Sequence, residues 1–333
     1  MGAWVDSLPD DARSKLLDWD LLDITVSMAS KVLTDHIDEW NESILADGRT
    51  ENHANITKVH SLRIINACKF FKFRDIKAEP VKQYLALQQR SNGISIETRN
   101  SHLRAIKQFC KWMVEEERAN ESPLMGLKML NAQTDRRRTR RALSITELKK
   151  LIKTTKSGPM RGKTSGRERA LIYCLACETG LRSSEIRSLN TGSFSLITSP
   201  PTVTVEASNS KRRRRDTLSL SSELTTDLRK HLANKLPNAK AFSLPKRSAD
   251  MLKDDLVRAK IEYVDPDTGA YLDFHSLRVT CATLLALGGA SPATSQARMR
   301  HSSIELTMNT YTKLGMSGQD EALQALPKFS TGA

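Results

Sequence analysis

The apolar spacing that runs along this chain breaks off between residues 123 and 143. Arg136-Arg137-Arg138-Thr139-Arg140-Arg141 stands there instead. A charged run of that kind interrupts a hydrophobic core, so the chain is expected to fold as two bodies joined by a basic linker. Its 333 residues agree with that, since domains typically run to ~100–200 residues each. The expected division is an N-terminal segment of unassigned role over 1–30, a helical domain over 31–122, the linker over 123–143, and a larger domain with a C-terminal tail over 144–333.

Helical periodicity dominates both halves. Ile56, Val59, Leu62, Ile65, Phe70 and Phe73 recur at roughly helical spacing. Pro80 opens a second helix and Asn92-Gly93 ends it. Thr98 reads as the N-cap of a third, with Leu103, Ile106, Cys110, Met113 and Val114 on one face. The other face offers Arg99, Arg104, Lys107 and Lys111, which read either as an ordinary solvated face or as a surface for DNA.

In the larger domain, Ser144-Ile145-Thr146-Glu147 fits a capping box. A helix over about 167–178 stops at Gly180. Val203–Val205 and Asp216–Leu220 read as the two strands of a hairpin with a basic tip. Helices follow over about 222–236, 249–260, 275–288, 292–300 and 303–312. The fold class is therefore α+β and mostly α, with a small β-sheet.

Charge narrows the partner. Residues 1–60 hold five Lys and Arg against twelve Asp and Glu, and the remainder carries a net charge of +21. So basic a region fits the phosphate backbone of nucleic acid. No apolar run reaches the ~18 residues of a membrane span. The N-terminus lacks a basic cluster followed by an apolar stretch, which sets secretion aside. The five cysteines are scattered, a pattern that suits a reducing interior better than a disulfide framework.

Two short motifs mislead. Gly158-Pro159-Met160-Arg161-Gly162-Lys163-Thr164 is one residue short of a phosphate-binding loop and follows no strand, so it reads as a flexible loop. Cys174-Leu175-Ala176-Cys177 has the spacing of half a zinc site. It lies mid-helix among apolar residues, which favours buried small hydrophobes. No carboxylate cluster suited to Mg²⁺ stands out, so no metal and no cofactor are expected.

Four segments of the larger domain set unusual polar residues beside apolar ones. They are Thr179-Gly180-Leu181-Arg182-Ser183-Ser184-Glu185-Ile186, Ser210-Lys211, Phe274-His275-Ser276-Leu277-Arg278, and Arg300-His301-Ser302-Ser303-Ile304 with Tyr311 further on. Singly, each has a plain structural reading as a surface pair, a helix start or half-buried packing. Together, in this order, they resemble the catalytic domain of the tyrosine recombinases, the phage-integrase family of site-specific DNA recombinases. The helical domain resembles that family's core-binding domain, so the likeness spans most of residues 30–315. Among the basic residues of the hairpin tip, Lys211 fits best, eight residues before Ser219. Val279 stands where many members have a second histidine, outside the catalytic set.

The resemblance implies a catalytic set of Arg182, Lys211, His275, Arg278, His301 and Tyr311. Arg182 and Arg278 would clamp the non-bridging oxygens of a phosphodiester with their fixed forks, and His301 would donate a further hydrogen bond. Tyr311 would attack phosphorus, His275 would take its proton, and Lys211 would protonate the leaving 5′-oxygen. Glu185 would orient Arg182 or His275. DNA contacts are expected from Arg99, Arg104, Lys107, Lys111, Arg136, Arg137, Arg138, Arg140, Arg141, Arg212 and Arg213. The two domains would clamp double-stranded DNA, as a monomer when free and as a homotetramer on two sites. The place of action would be the bacterial cytoplasm, on the nucleoid. A type IB topoisomerase-like relaxing enzyme and a non-catalytic DNA-binding relic are the alternatives.

Overall fold

A computed structural model describes residues 31–210 and 212–313, together with isolated positions between 8 and 16. The chain forms two compact units, residues 1–137 and 138–333.

The first unit is built from α1 (Leu33–Ala46), α2 (Glu51–Ala67), α3 (Ala78–Ser91) and α4 (Ile96–Glu115). On α1, Leu33, Ile37, Trp40 and Ile44 repeat at helical spacing, and all are buried. They meet Leu103, Ile106, Phe109 and Met113 of α4 in one core. Phe109 sits at its centre, 5.4 Å from the Trp40 ring and 6.3 Å from Phe73. The helix α4 starts earlier than the sequence suggests. Its N-cap is Ser95, whose hydroxyl accepts from the Thr98 N–H.

The linker expected over 123–143 is not a free strap. Leu124 is fully buried in the first core. The Asn100 side chain both donates to the Leu130 carbonyl at 2.7 Å and accepts from its N–H at 3.0 Å. Asp135 accepts from the Ile96 N–H at 2.8 Å, at the start of α4, where the helix dipole favours a carboxylate. From Arg138 onward the chain belongs to the second unit. Arg140 bridges to Tyr271 along the backbone, and Leu143 is buried.

The second unit contains α5 (Ile145–Lys156), α6 (Gly166–Thr179), the short α7 (Ser183–Ser188), α8 (Ser222–Leu232), α9 (Ser248–Arg258), α10 (Ser276–Leu287), α11 (Pro292–Met299) and α12 (Ile304–Lys313). The Ser144–Glu147 capping box forms as expected. The helix α6 is buried on nearly every side, so it is the spine on which α5, α8 and α10 pack. Its Cys174 and Cys177 are free thiols, and burial pushes Cys174 up to about 11 and Cys177 well above the usual thiol range.

The helix α6 also buries Arg169. The guanidinium is paired with Asp255 of α9 at 2.8 Å, and Tyr173 donates to the same carboxylate at 2.8 Å. Arg169 further donates to the carbonyls of Pro159 and Thr164. The loop 158–164 that reads as flexible is thus pinned to the core. Gly166 permits that closeness, because a Cβ there would lie 2.4 Å from the Thr155 oxygen.

The sheet is antiparallel, in the order β1 (Phe194–Ser195), β2 (Thr202–Val205), β3 (Asp216–Ser219). Val203 pairs with Leu218 and Val205 with Asp216. Val203 and Val205 face the core, whereas Thr204 faces out and shares a hydrogen bond with Thr217. The strand β1 was not expected, since two residues carry no alternation to read.

Candidate active site

The site begins where α6 ends. Gly180 takes the left-handed conformation with φ +64°, and a Cβ there would lie 2.9 Å from the Met299 sulfur. A glycine is needed both for the turn and for this approach. The chain then runs extended through Arg182, which caps α7. Glu185, only 1% exposed, accepts from the Arg182 N–H at 2.8 Å and from its Nη1 at 2.9 Å. The same carboxylate accepts from Arg300 Nη2 at 2.8 Å. Burial works against charge on Glu185, but Arg300 and Arg182 hold its carboxyl below the usual range.

Arg278 comes from the first turn of α10 and is buried. Its Nη1 donates to the Gly180 carbonyl and its Nη2 to the Met299 carbonyl. It therefore ties the ends of α6 and α11 together. A guanidinium has five N–H donors, so donors remain for an anion. Desolvation, then Arg182 and Arg300, bring its pKa down to about 10, which leaves it charged at neutral pH.

His275 precedes α10, and desolvation followed by Arg140 and Arg278 lowers it to about 4. The residue as a whole is exposed. His301 follows α11, and its Nδ1 lies 2.9 Å from the Thr307 hydroxyl. Desolvation, Arg278 and Arg182 lower it to about 4 as well. Both imidazoles are neutral at pH 7. A cleft of about 180 Å³ lies among Arg182, Ser183, Ser184, Phe274 and His275.

The structure thus brings Arg182, His275, Arg278 and His301 together, with Glu185 beneath them. Tyr311 stands otherwise. It is buried on α12, its hydroxyl donates to the Ala290 carbonyl, and the Ser295 hydroxyl lies 2.7 Å from it. These hydrogen bonds run to α11 and the turn before it, not to the arginines and histidines. Lys211 lies outside the described residues, as does the tail beyond 313.

The expected DNA contacts divide. Arg104, Lys111, Arg136, Arg138, Arg212 and Arg213 are exposed. Lys111 pairs with Glu115 at 2.7 Å and Arg104 lies 3.9 Å from Glu97. Arg99 is buried beside Asn100. Lys107 donates to the carbonyls of Met125 and Leu127 at 3.0 and 2.7 Å. Arg137 binds Asp135 and the carbonyls of Gly93 and Ile94. Arg140 bonds to Asp273 at 2.8 Å, and Arg141 bonds to Glu147 at 2.8 Å. Five of these cations, Arg99, Lys107, Arg137, Arg140 and Arg141, are thus bonded to other groups of the chain, Arg137 and Arg140 while remaining exposed. Sequence reasoning also missed Arg300, Asp273 and Thr307. Arg300 stood in view beside His301, but nothing local pairs it with Glu185.

The site is thus a basic pocket of two arginines and two histidines, with Tyr311 on the helix that follows His301, the residue set whose order resembles the tyrosine recombinases. The comparisons agree. The model of the phage integrase family matches residues 141–317. Among solved structures, the Tn1549 transposon integrase in complex with transposon right end DNA is 15% identical, with a TM-score of 0.64, covering 87% of this chain and 99% of that one. A lambda integrase tetramer bound to a Holliday junction is 15% identical, with a TM-score of 0.66, covering 84% and 77%. The XerH site-specific recombinase bound to its difH substrate is 18% identical, with a TM-score of 0.62, covering 84% and 81%. Comparison with curated proteins returned no match. The chain belongs to the phage integrase family, the tyrosine recombinases. It is a site-specific recombinase by that membership.

Proposed function

We propose that this chain cuts and rejoins double-stranded DNA through a 3′-phosphotyrosyl intermediate on Tyr311. The observation that carries the reading is the pocket in which charged Arg182 and Arg278 flank the neutral imidazoles of His275 and His301. Such a pocket suits a phosphodiester. Its negative charge meets two fixed cations, and charge developing on the non-bridging oxygens strengthens both contacts in the transition state. His301, with Nδ1 turned to Thr307, keeps Nε2 for the same oxygens.

In the first step Tyr311 Oη bonds to phosphorus and the bond from phosphorus to O5′ breaks. The phenol proton passes to His275, and Lys211 protonates the departing 5′-oxygen. An imidazole near 4 is a weak base. A bound phosphate beside it favours the imidazolium and raises its pKa toward the working range. The phosphodiester bond is exchanged for another, so a 5′-hydroxyl from a second strand reverses the step without ATP.

Solved members of this fold are bound to DNA, one as a tetramer on a Holliday junction. By that likeness the chain acts as a tetramer on DNA; we further take it to be a monomer when free, to join two DNA sites, and to act on the nucleoid of a bacterial cytoplasm. Exposed Arg104, Lys111, Arg136, Arg138, Arg212 and Arg213 are assigned to the phosphate backbone. Among the described residues, no helix is long and apolar enough to cross a membrane.

The test mixes the protein with sheared genomic DNA of its source, denatures in SDS and sequences the DNA left on protein. Adducts concentrated at one site, lost in Tyr311→Phe while DNA binding survives, are the expected result. Adducts spread evenly over the genome contradict site specificity and indicate a relaxing enzyme. Adducts that persist in Tyr311→Phe overturn the assignment of the nucleophile.

A further inference from the structure

We propose that Arg300 is a positioning residue, whose buried guanidinium joins Glu185, the carboxylate that holds Arg182, to Asp216 at the root of the basic β2–β3 hairpin. The inference rests on the reading of the site given above and deepens it.

Three observations set Arg300 apart. Its backbone is left-handed, with φ +54°, a conformation that favours glycine over a residue with a side chain. Its side chain is only 4% exposed. Its Nη2 bonds to Glu185, while Nη1 and Nε have no hydrogen-bond partner among the described residues. Buried guanidinium groups normally satisfy their donors. One that does not, on a strained backbone, is poorly explained by stability alone.

The free Nη1 lies 3.6 Å from Asp216 Oδ2. Asp216 opens β3, opposite Val205, and accepts from the Ser210 hydroxyl at 3.4 Å. Ser210 is buried, and its carbonyl accepts from the Arg213 N–H at 2.9 Å. Residues 212–215 beyond it are exposed. Arg300 therefore faces the carboxylate that in turn accepts from Ser210, the last buried residue of the hairpin before its basic tip. Lys211 is the next residue in sequence, and the acid role proposed for it above links this anchor to the cleavage step. The other end of the guanidinium fixes Glu185, which receives two bonds from Arg182. One side chain thus sets the spacing between the clamp on the phosphate and the strand that delivers the acid. His301, the next residue, leaves the same left-handed turn.

The test uses two variants, with Lys211→Ala as reference. Asp216→Asn severs the hairpin arm without leaving a carboxylate unpaired. Arg300→Gly removes the guanidinium while relaxing the backbone, which protects the fold. Each is assayed for single-turnover cleavage of nicked DNA with a 5′-oxygen or a 5′-sulfur leaving group. A thiolate leaves without a general acid. Both variants are expected to cleave the 5′-oxygen substrate about 10–100-fold slower, the scale of a misplaced catalytic group; Asp216→Asn recovers near the wild-type rate on the 5′-sulfur substrate, as Lys211→Ala does, whereas Arg300→Gly recovers only in part, because its loss also loosens Glu185 and the Arg182 it holds. If Lys211→Ala recovers while Asp216→Asn stays slow on both substrates or Arg300→Gly gains nothing from the sulfur, or if Asp216→Asn cleaves normally, the inference is overturned. If Lys211→Ala itself does not recover, the acid assignment fails, and limited trypsin digestion then decides for Arg300. Faster cutting at Arg212–Arg215 in both variants supports the anchor, and an unchanged rate overturns it.

Discussion

Ser295→Ala is expected to speed DNA cleavage. Tyr311 gives its proton to the Ala290 carbonyl and accepts from the Ser295 hydroxyl, which lies 2.7 Å away. Attack needs the phenol oxygen about 3–3.5 Å from phosphorus and in line with the leaving group. An oxygen engaged by both partners must first leave them, so release precedes chemistry. Removing the Ser295 hydroxyl weakens the stowed state by one hydrogen bond, a net of about 0.5–1.5 kcal/mol. At 1.4 kcal/mol per tenfold, release shifts by about 2- to 12-fold. The change leaves the Ala290 bond in place, and among the described residues the Ser295 hydroxyl has no other side-chain partner to orphan. The assay is single-turnover adduct formation on nicked DNA carrying the recovered site, with DNA affinity and thermal unfolding measured beside it. An adduct rate equal to or below wild type, with affinity and unfolding unchanged, refutes the argument that the phenol is held back by this contact.

Two further predictions concern stability. Asp255→Ala leaves Arg169 fully buried without its carboxylate, and urea unfolding should show a loss of about 3–5 kcal/mol, the cost of breaking a buried pair; a loss under about 1 kcal/mol contradicts the place given to this network. His102, His275 and His301 are held at about 4 in the folded chain, against 6.5 ordinarily. The unfolded chain therefore takes up protons that the folded chain refuses, so stability is full above about pH 6.5 and falls as the pH drops toward 4. Urea midpoints that stay flat across that window contradict the depressed values.

The helical character of both units was legible because it rests on local spacing. Leu103, Ile106, Cys110 and Met113 mark the face of α4 that is buried, and Ser144 with Glu147 marks the start of α5. The residues that build the pocket were legible too, as an ordered set of boxes. What the sequence concealed depends on partners distant in the chain. The arginine run reads as a basic linker that meets DNA, yet its Arg140 is paired with Asp273, 133 residues away. Lys107 reads as a surface cation, but its ammonium meets carbonyls that return 18 and 20 residues later. The stowed Tyr311 depends on Ala290 and Ser295, and the lowered pKa of both imidazoles depends first on burial and then on arginines, several of them from other segments. None of these contacts leaves a periodic trace.

The central claim is that Tyr311 becomes joined to a 3′-phosphate of DNA. The direct measurement traps the adduct on a nicked site, digests it with nuclease and trypsin, and locates the remaining nucleotide by mass spectrometry while labelling the released DNA end with polynucleotide kinase. The account predicts a phosphonucleotide on Tyr311 and a free 5′-hydroxyl that accepts label without prior dephosphorylation. A nucleotide on any other residue, or a released 3′-hydroxyl with the phosphate linked through a 5′ end, contradicts it.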